Sequence, residues 1–140
     1  MTVRRRNAKG RRISLPVSTT TVEDLDGVFK GFADPTRIRI LSLLAAGELC
    51  VSDIVEILEL PQPAVSRHLA YLRRMGLVEV KRDLKFAHYR LAAPEHAVHQ
   101  NLISCVRTCF RGITSLDKER SKAEARVQSR TSEPADLRGI

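Results

Sequence analysis

Residues 61–91 have the sequence PQPAVSRHLAYLRRMGLVEVKRDLKFAHYRL, and this stretch decides the fold. Its first half is predicted to be a helix that ends at Gly76, with apolar residues at helical spacing: Val65, Leu69, Leu72 and Met75. Its second half predicts two short strands, about 77–81 and 86–91, joined by the charged tip 82–85. A helix sized for the DNA major groove, followed at once by a basic hairpin, is typical of a winged helix-turn-helix.

Two helices are predicted at the start of the domain. The first begins at Thr20 or Thr21, where Glu23 completes a capping box, and runs to about Phe32. Its apolar stripe consists of Val22, Leu25, Val28, Phe29 and Phe32. The second, about 34–47, begins with an Asp-Pro pair, in which the aspartate caps the helix and the proline needs no N–H partner, and it ends at a glycine.

Two more helices complete the prediction. A short one covers about 52–58, and position 50, where its cap is expected, is a cysteine. A long last helix runs from about 94 to at least 116, with a stripe suited to a dimer seam: Val98, Leu102, Cys105, Val106, Cys109, Ile113 and Leu116. We therefore predict a mainly α fold with a small β-hairpin: about five helices and a two-stranded wing, forming a homodimer through its terminal helices.

Length and charge indicate one domain between polar tails. The 140 residues suffice for a single core, and we expect a basic flexible tail at 1–18, the domain at 19–118 and a polar tail at 119–140. Residues 67–90 contain seven basic and two acidic residues, a local excess of five positive charges that favours contact with phosphates. The chain has no apolar run long enough to span a bilayer and no secretory signal, so we expect a cytoplasmic protein.

The helix of residues 61–75 is the predicted recognition helix. In a two-helix reader the second helix places its first residues against base edges, where glutamine pairs with adenine and arginine with guanine. The base-contact candidates are Gln62, Pro63, Ser66, Arg67 and His68. The candidates for phosphate contacts are Arg73, Arg74, Lys81, Arg82 and Lys85. Arg67 and His68 have the alternative of facing solvent or phosphate, whereas Phe86 and Tyr89 are expected to pack at the base of the wing.

Three cysteines are the candidates for sensing a signal. Cys105 and Cys109 are four residues apart on the predicted last helix, close enough for two sulfurs to share one ion. Cys50 is placed at a helix N-terminus, where the helix dipole favours the thiolate. Three thiolates suit a soft ion of three-coordinate preference, with arsenite or antimonite first. The alternative is that these cysteines are inert small hydrophobes in an apolar seam.

Four segments of the chain resemble the ArsR/SmtB family of bacterial metal-responsive winged-helix repressors. They are FADPTRIRILSLL at 32–44, GELCVSDI at 47–54, PQPAVSRHLAYLRRMGLV at 61–78 and KRDLKFAHYRL at 81–91. The resemblance implies a homodimer that binds a palindromic operator, represses, and releases the operator when an inducer binds. Two positions depart from the family pattern. Pro61 stands where a capping serine is common, and Leu84 stands where the wing often has glycine.

The same resemblance bears on the inducer. The arsenic sensors of the family carry a cysteine pair in an ELCVCD segment; here Cys50 matches the first cysteine and Ser52 replaces the second. Cys105 and Cys109 are then the residues available to supply further thiolates. The family's zinc site on the last helix pairs a histidine with another histidine eleven positions later. After His96 and His99 that spacing falls on Arg107 and Phe110, which disfavours zinc.

The function predicted from these features is a repressor that releases its operator when As(III) or Sb(III) binds Cys50, Cys105 and Cys109. A second hypothesis is a repressor of the same fold that senses oxidant or persulfide through a reactive thiolate. A third is a thiol-rich metal-buffering protein with an incidental basic surface. Catalysis is disfavoured because the sequence has no Cys-x-x-Cys pair, no phosphate-binding glycine loop and no HExxH metal site.

Overall fold

The computed structural model describes residues 2–6, 12–16, 20–84 and 86–131. In chain order the elements are strands β1 (Thr2–Arg6) and β2 (Arg12–Pro16), helices α1 (Val22–Phe32) and α2 (Pro35–Leu44), strand β3 (Leu49–Cys50), helices α3 (Val51–Leu58) and α4 (Gln62–Arg74), strands β4 (Val78–Asp83) and β5 (Phe86–Leu91), and helices α5 (Ala97–Thr108) and α6 (Thr114–Thr131). The winged helix-turn-helix predicted from residues 61–91 is confirmed, with α3 and α4 as its helix pair.

The first two helices begin at the caps that their sequences supply. The Asp34 carboxylate accepts from the Arg37 backbone N–H at 3.0 Å, and Pro35 is the first residue of α2. Helix α1 starts at Thr21, but Asp24 rather than Glu23 closes the capping box: the Thr21 hydroxyl accepts from the Asp24 N–H, and the Asp24 carboxylate accepts from the Thr21 N–H. The predicted box was one residue out of register.

The core lies between α2, α3, α4 and the base of the wing. Its fully buried side chains include Ile40, Leu41, Leu43, Leu49, Ile54, Val65, Leu69, Leu72, Leu77 and Val106. Helix α4 contributes the residues predicted for its inner stripe, and α5 and α6 close the core through Val106 and Ala123. This packing fixes which face of α4 remains available to a partner.

The wing is larger than predicted. Strand β5 pairs antiparallel with β4 on one side and with the two-residue strand β3 on the other, so the sheet has three strands. Strand β4 continues to Asp83, which pairs with Phe86, and Leu84 follows it in the left-handed region, at a φ of 51°. The β3 pairing sets Cys50 opposite His88.

The prediction of a single long last helix was wrong, because the helix is interrupted between α5 and α6. Cys109 is the C-terminal cap of α5, and Gly112 adopts a φ of 92°, which favours glycine. The Asp117 carboxylate accepts from the Gly112 N–H at 3.0 Å and stabilises the bend. The apolar stripe therefore divides: Leu116 is buried in α6, whereas Ile113 is exposed.

Both regions predicted as tails contain regular structure. Helix α6 extends through residues 119–131, with Ala123 buried and ion pairs to other helices, so this part of the expected 119–140 tail belongs to the folded body. Within the expected 1–18 tail, β1 and β2 pair antiparallel, with Val3 opposite Leu15.

One face of α1 is not covered by the described part of the chain. Val28 is buried, but Val22 is 75% exposed and Phe29 is 53% exposed, so the predicted apolar stripe is only partly packed.

Among the described residues, no helix combines the length and apolarity needed to cross a membrane.

Candidate nucleic-acid interface and cysteine sites

Helix α4 presents a polar and basic face to solvent. Val65, Leu69 and Leu72 are buried on its opposite face. The predicted DNA-contact residues that are exposed on α4 are Gln62, Pro63, Ser66, Arg67, Arg73 and Arg74. Gln62 is the first residue of the helix, so the candidate base readers occupy its N-terminal turns and the two arginines of the last turn lie at the other end. This arrangement suits a recognition helix that enters a groove by its N-terminus.

His68 differs from the other predicted base readers because its ring is engaged within the chain. It is half-buried, and its Nδ1 lies 3.5 Å from Arg37 Nη1 and 3.8 Å from an Asp34 carboxylate oxygen. The side chain is thus held toward the start of α2, and its position favours packing between α2 and α4 over base contact.

A basic cleft of about 880 Å³ runs alongside α4, and the contributions of Arg37 and Tyr71 to it were not predicted from the sequence. The Arg37 guanidinium lies 4.2 Å from the centre of the Tyr71 ring, and that of Arg74 lies 5.4 Å from it. The Arg37 side chain also donates to the carbonyls of Gly31 and Lys30, which fixes its position. The cleft is lined by Arg37, Arg67, His68, Ala70, Tyr71, Arg73 and Arg74. This lining has four guanidinium groups and no carboxylate, which suits a phosphate.

The wing extends the basic surface. Lys81 and Arg82 are exposed on β4, as predicted, whereas Lys85 lies outside the described residues. Arg90 differs from them because it pairs with Glu79 across the hairpin at 3.1 Å. Phe86, expected to pack at the base of the wing, is 47% exposed, while Tyr89 packs against the core.

The Cys50 side chain lies in a polar network. It is the N-terminal cap residue of α3 but makes no side-chain cap hydrogen bond. Its thiol donates to the Asp53 carboxylate at 3.1 Å, and Sγ lies 3.0 Å from the Ser52 hydroxyl. Arg130 of α6 approaches the same sulfur at 3.5 Å and pairs with Asp53. The Cys50 sulfur is therefore in direct contact with Ser52, Asp53 and Arg130.

Cys105 and Cys109 form a hydrogen-bonded thiol pair at the end of α5. The pKa of Cys109 is lowered because the Thr108 hydroxyl and the Cys105 thiol hydrogen-bond its sulfur. The pKa of Cys105 is raised, first by its hydrogen bond to Cys109 and then by desolvation. The Thr108 hydroxyl donates to the Ser104 carbonyl oxygen at 2.8 Å, and its oxygen lies 3.6 Å from Cys109 Sγ. Cys109, the more exposed thiol, is the one that ionises first.

The two cysteine sites do not combine into one site within a single chain. Across residues 20–84 and 86–130, no group of three or more Cys, His, Asp or Glu side chains is placed to hold a metal ion. The pair at Cys105 and Cys109 can offer two sulfurs to one ion, but Cys50 is held separately by Asp53 and Arg130. A third thiolate for the pair would have to come from a second subunit.

Three arginines that shape these sites were not predicted from the sequence: Arg37 in the cleft, and Arg126 and Arg130 beside Cys50. A signal existed for two of them. Arg126 and Arg130 are four residues apart on one helix, and Asp53 and Glu56 are three residues apart on α3, so each pair lies on one helix face. Opposite charges on two such faces favour packing of the two helices. Arg37 had no comparable signal, because its role depends on how α2 crosses α4.

Comparison with protein families agrees with this geometry. A family model described as bacterial regulatory protein, arsR family, matches residues 34–80. The arsenic resistance transcriptional regulator ArsR1 of Pseudomonas putida is 39% identical over 93 residues, which are 66% of this chain and 67% of that protein. The arsenical resistance operon repressor of Escherichia coli is 48% identical over 66 residues, 46% of this chain and 56% of that repressor. The chain thus spans between half and two thirds of these relatives.

Solved structures show the same fold. HlyU from Vibrio cholerae has a TM-score of 0.56 and 31% identity, covering 63% of this chain and 92% of that one. A homodimeric winged helix-turn-helix DNA-binding domain from Mycobacterium bovis, a possible ArsR-family transcriptional regulator, has a TM-score of 0.55 and 30% identity, covering 63% of this chain and 79% of that domain. These likenesses confirm the predicted fold class.

Proposed function

Because the chain belongs to the arsR family of bacterial regulatory proteins, we propose that it represses transcription as a homodimer on a palindromic operator and releases DNA when As(III) or Sb(III) binds its cysteines. Family membership makes it a DNA-binding transcriptional regulator and not an enzyme. The alternative of a metal-buffering protein with an incidental basic surface does not fit this membership.

The observation that carries DNA binding is the exposed basic face of α4 beside the Arg37 cleft. The exposed residues Arg67 and Arg73 have no ion-pair partner among the described side chains, so their charges are available to phosphates. Gln62 and Ser66 on the first turns are the proposed base readers. Lys81 and Arg82, which are exposed on β4, are proposed to contact the DNA backbone as well. Lys85 lies outside the described residues, and its phosphate contact stays a prediction from the sequence.

The uncovered apolar side chains support a dimer. Val22 and Phe29 of α1 and Ile113 after α5 are exposed large hydrophobics that a second subunit would bury. A structural relative, the Mycobacterium bovis domain, is described as homodimeric. Two copies of α4, one from each subunit, would read the two halves of a palindrome.

The inducer assignment is based on thiol chemistry. Arsenite exchanges each hydroxide for a cysteine sulfur: the thiol proton leaves with the hydroxide as water, and the oxidation state of arsenic does not change. Cys105 and Cys109 would supply two sulfurs, and the partner subunit's Cys50 the third. The relatives named for arsenic resistance support this choice of ion. A coupling of about 1–3 kcal/mol between inducer and DNA would suffice for induction.

The test of DNA binding is fluorescence anisotropy with a labelled operator at several salt concentrations. Replacing Arg73 by Gln removes one phosphate contact per subunit, so the slope of log affinity against log salt should fall by about 2 for a dimer. Arg90→Gln is the matched control, because Arg90 is also exposed but already pairs with Glu79. An equal change of slope in both variants would contradict the proposed interface.

The test of the inducer adds arsenite to the operator complex of the parent, Cys50→Ser, Cys105→Ser and Cys109→Ser. Each substitution should weaken release by tenfold or more, because each removes one proposed sulfur ligand. Ser104→Ala, an exposed change on the same helix, is the matched control and should respond like the parent. If all three cysteine variants release DNA at the parent's arsenite concentration, the three-sulfur site is wrong.

A second candidate function is favoured by the unequal thiol pair. The pKa of Cys109 is lowered by Thr108 and Cys105, so its thiolate is available to attack an oxidant. With peroxide, the two thiols of Cys105 and Cys109 would lose two protons and two electrons to form a disulfide, and the peroxide would become two waters. Operator release by peroxide together with indifference to arsenite would select this alternative.

A further inference from the structure

Helix α6 is fastened across the start of the helix-turn-helix by charged side chains. Arg126 pairs with Asp53 at 3.0 Å and also with Glu56, and Arg130 pairs with Asp53. Arg130 further reaches the Glu48 carbonyl oxygen at 3.4 Å and His88 Nδ1 at 3.2 Å. The last two turns of α6 thus contact α3, β3 and β5 at once. We refer to residues 126–130 as the α6 strap.

The strap and Cys50 share one carboxylate oxygen. Asp53 Oδ2 accepts the Cys50 thiol proton at 3.1 Å and also accepts from Arg130 Nη2. The same Arg130 nitrogen lies 3.5 Å from Cys50 Sγ. Because the Asp53 side chain is only 9% exposed, these donors and Arg126, more than water, stabilise its carboxylate. The sulfur therefore occupies a position where any new bond changes the contacts of Arg130.

We propose that the α6 strap reports the state of Cys50 to the helix-turn-helix. A group bonded to Cys50 Sγ replaces the proton that Asp53 accepts and occupies the space beside the Arg130 guanidinium. Arg130 then leaves Asp53, and the end of α6 separates from α3. This inference rests on the proposed function only in taking Cys50 as the residue that the inducer bonds, because the strap itself is a property of the chain alone.

Release of the strap would reach DNA through α3. Asp53 lies in the first turn of α3, whose buried residues Ile54, Ile57 and Leu58 belong to the core that also holds α4. Arg39 of α2 adds a second anchor for α6, through Glu119 at 2.7 Å, so the beginning of α6 stays in place when its end is freed. The predicted change is therefore local: α3 loses its outer support, and α4 loses its fixed orientation relative to the wing.

The experiment uses full-length protein with Cys105 and Cys109 replaced by serine, so that Cys50 is the reactive thiol. The Cys50 thiol adds to the carbon–carbon double bond of N-ethylmaleimide: the sulfur bonds to one carbon, and the thiol proton ends on the other. Amide hydrogen exchange of residues 126–130 should become at least about tenfold faster after labelling. Arg130→Met should show the faster exchange without the reagent, and labelling should add nothing further, because both changes break one contact.

Two variants control the reading of this experiment. Arg130→Lys keeps a cation near Asp53 and should retain part of the protection, as expected of an electrostatic contact. Lys122→Met changes an exposed residue of the same helix that has no ion-pair partner in the described part of the chain, and it should exchange like the parent. Unchanged exchange at 126–130 after complete labelling of Cys50 would overturn the strap.

Operator binding separates the strap from the inducer. Labelled protein should bind operator about tenfold more weakly than unlabelled protein in the same background. If arsenite fails to release operator from the parent while labelling still frees the strap and weakens binding, the inducer is wrong and the strap holds. If arsenite releases operator with no change in exchange at 126–130, the strap is overturned and the inducer assignment stands.

Discussion

Replacing His99 by Gln should remove an acid-sensitive part of the free energy of unfolding. His99 is 1% exposed on α5, its Nδ1 accepts from the Glu95 backbone N–H at 3.2 Å, and its buried Nε2 has no hydrogen-bond partner among the described residues. Burial and, next, the nearby His96 lower the pKa of His99 from 6.5 to about 4. The folded protein therefore holds this ring neutral, whereas the unfolded chain protonates it at mildly acidic pH.

The sign and the size of the effect follow from those two pKa values. The pKa of His99 is lower in the folded state, so below about pH 6.5 the unfolded chain binds a proton that the folded protein does not. The free energy of unfolding is therefore highest above about pH 6.5 and decreases as the pH falls toward 4. Between about pH 7 and pH 5, this one histidine lowers the free energy of unfolding by about 2 kcal/mol, and below pH 4 the decrease approaches about 3 kcal/mol. Glutamine does not titrate, and its amide oxygen can replace Nδ1 as acceptor for Glu95.

The assay is urea unfolding followed by circular dichroism at both pH values, for parent and His99→Gln at one fixed protein concentration. A fixed concentration is needed because dimer formation would add to the apparent stability. Other groups titrate alike in both proteins, so the difference between their pH-dependent losses isolates His99. If the free energy of unfolding falls by the same amount in both proteins between pH 7 and pH 5, the conclusion that His99 is held neutral in the folded protein is refuted.

Three further positions test packing and thiol chemistry. Gly31→Ala should destabilise the fold by about 1–3 kcal/mol in thermal unfolding, because the added Cβ would lie 2.3 Å from Leu77 Cδ1. Gly27→Ala, on the same helix with its closest contact at 3.5 Å, should instead stabilise by about 0.5–1 kcal/mol. Thr108→Val should raise the pKa of Cys109 and slow its alkylation near neutral pH by a few-fold, measured by mass spectrometry; an unchanged rate would contradict the hydrogen bond to Thr108.

The parts of the fold predictable from sequence are those with local signals. The start of α2 was predictable because Asp34 caps the helix and Pro35 is its first residue. The recognition helix ends before Gly76, which has a φ of 77°, as predicted. The strands of the wing follow from alternation, although their exact ends do not. Strand β3 was not predicted because two residues carry no periodicity. Its pairing depends on β5, and the paired residues Leu49 and Tyr89 are 40 positions apart in the sequence.

The end of the chain was mispredicted because two signals pointed the wrong way. Apolar spacing continues through Cys109 and Ile113, so periodicity alone joins α5 to α6, and the bend appears only in Gly112 and its contact with Asp117. Helix α6 was interpreted as a polar tail because it has few apolar residues. It is stabilised by charges on other helices, such as Arg39 with Glu119, and a row of charges in one sequence does not identify the distant helix that it will pair with.

The separation of the cysteines changes how sensing is best understood. Cys50 is bonded into a network that ends on the helix-turn-helix, whereas Cys105 and Cys109 lie at the end of α5, near the exposed Ile113 of the proposed dimer face. An ion that joined these sites across the dimer would act on two contacts at once: the strap on α3 and the packing between subunits. Either contact alone is weak, since Arg126 and Arg130 are partly exposed, but both change in the same direction, so their effects on operator affinity would multiply.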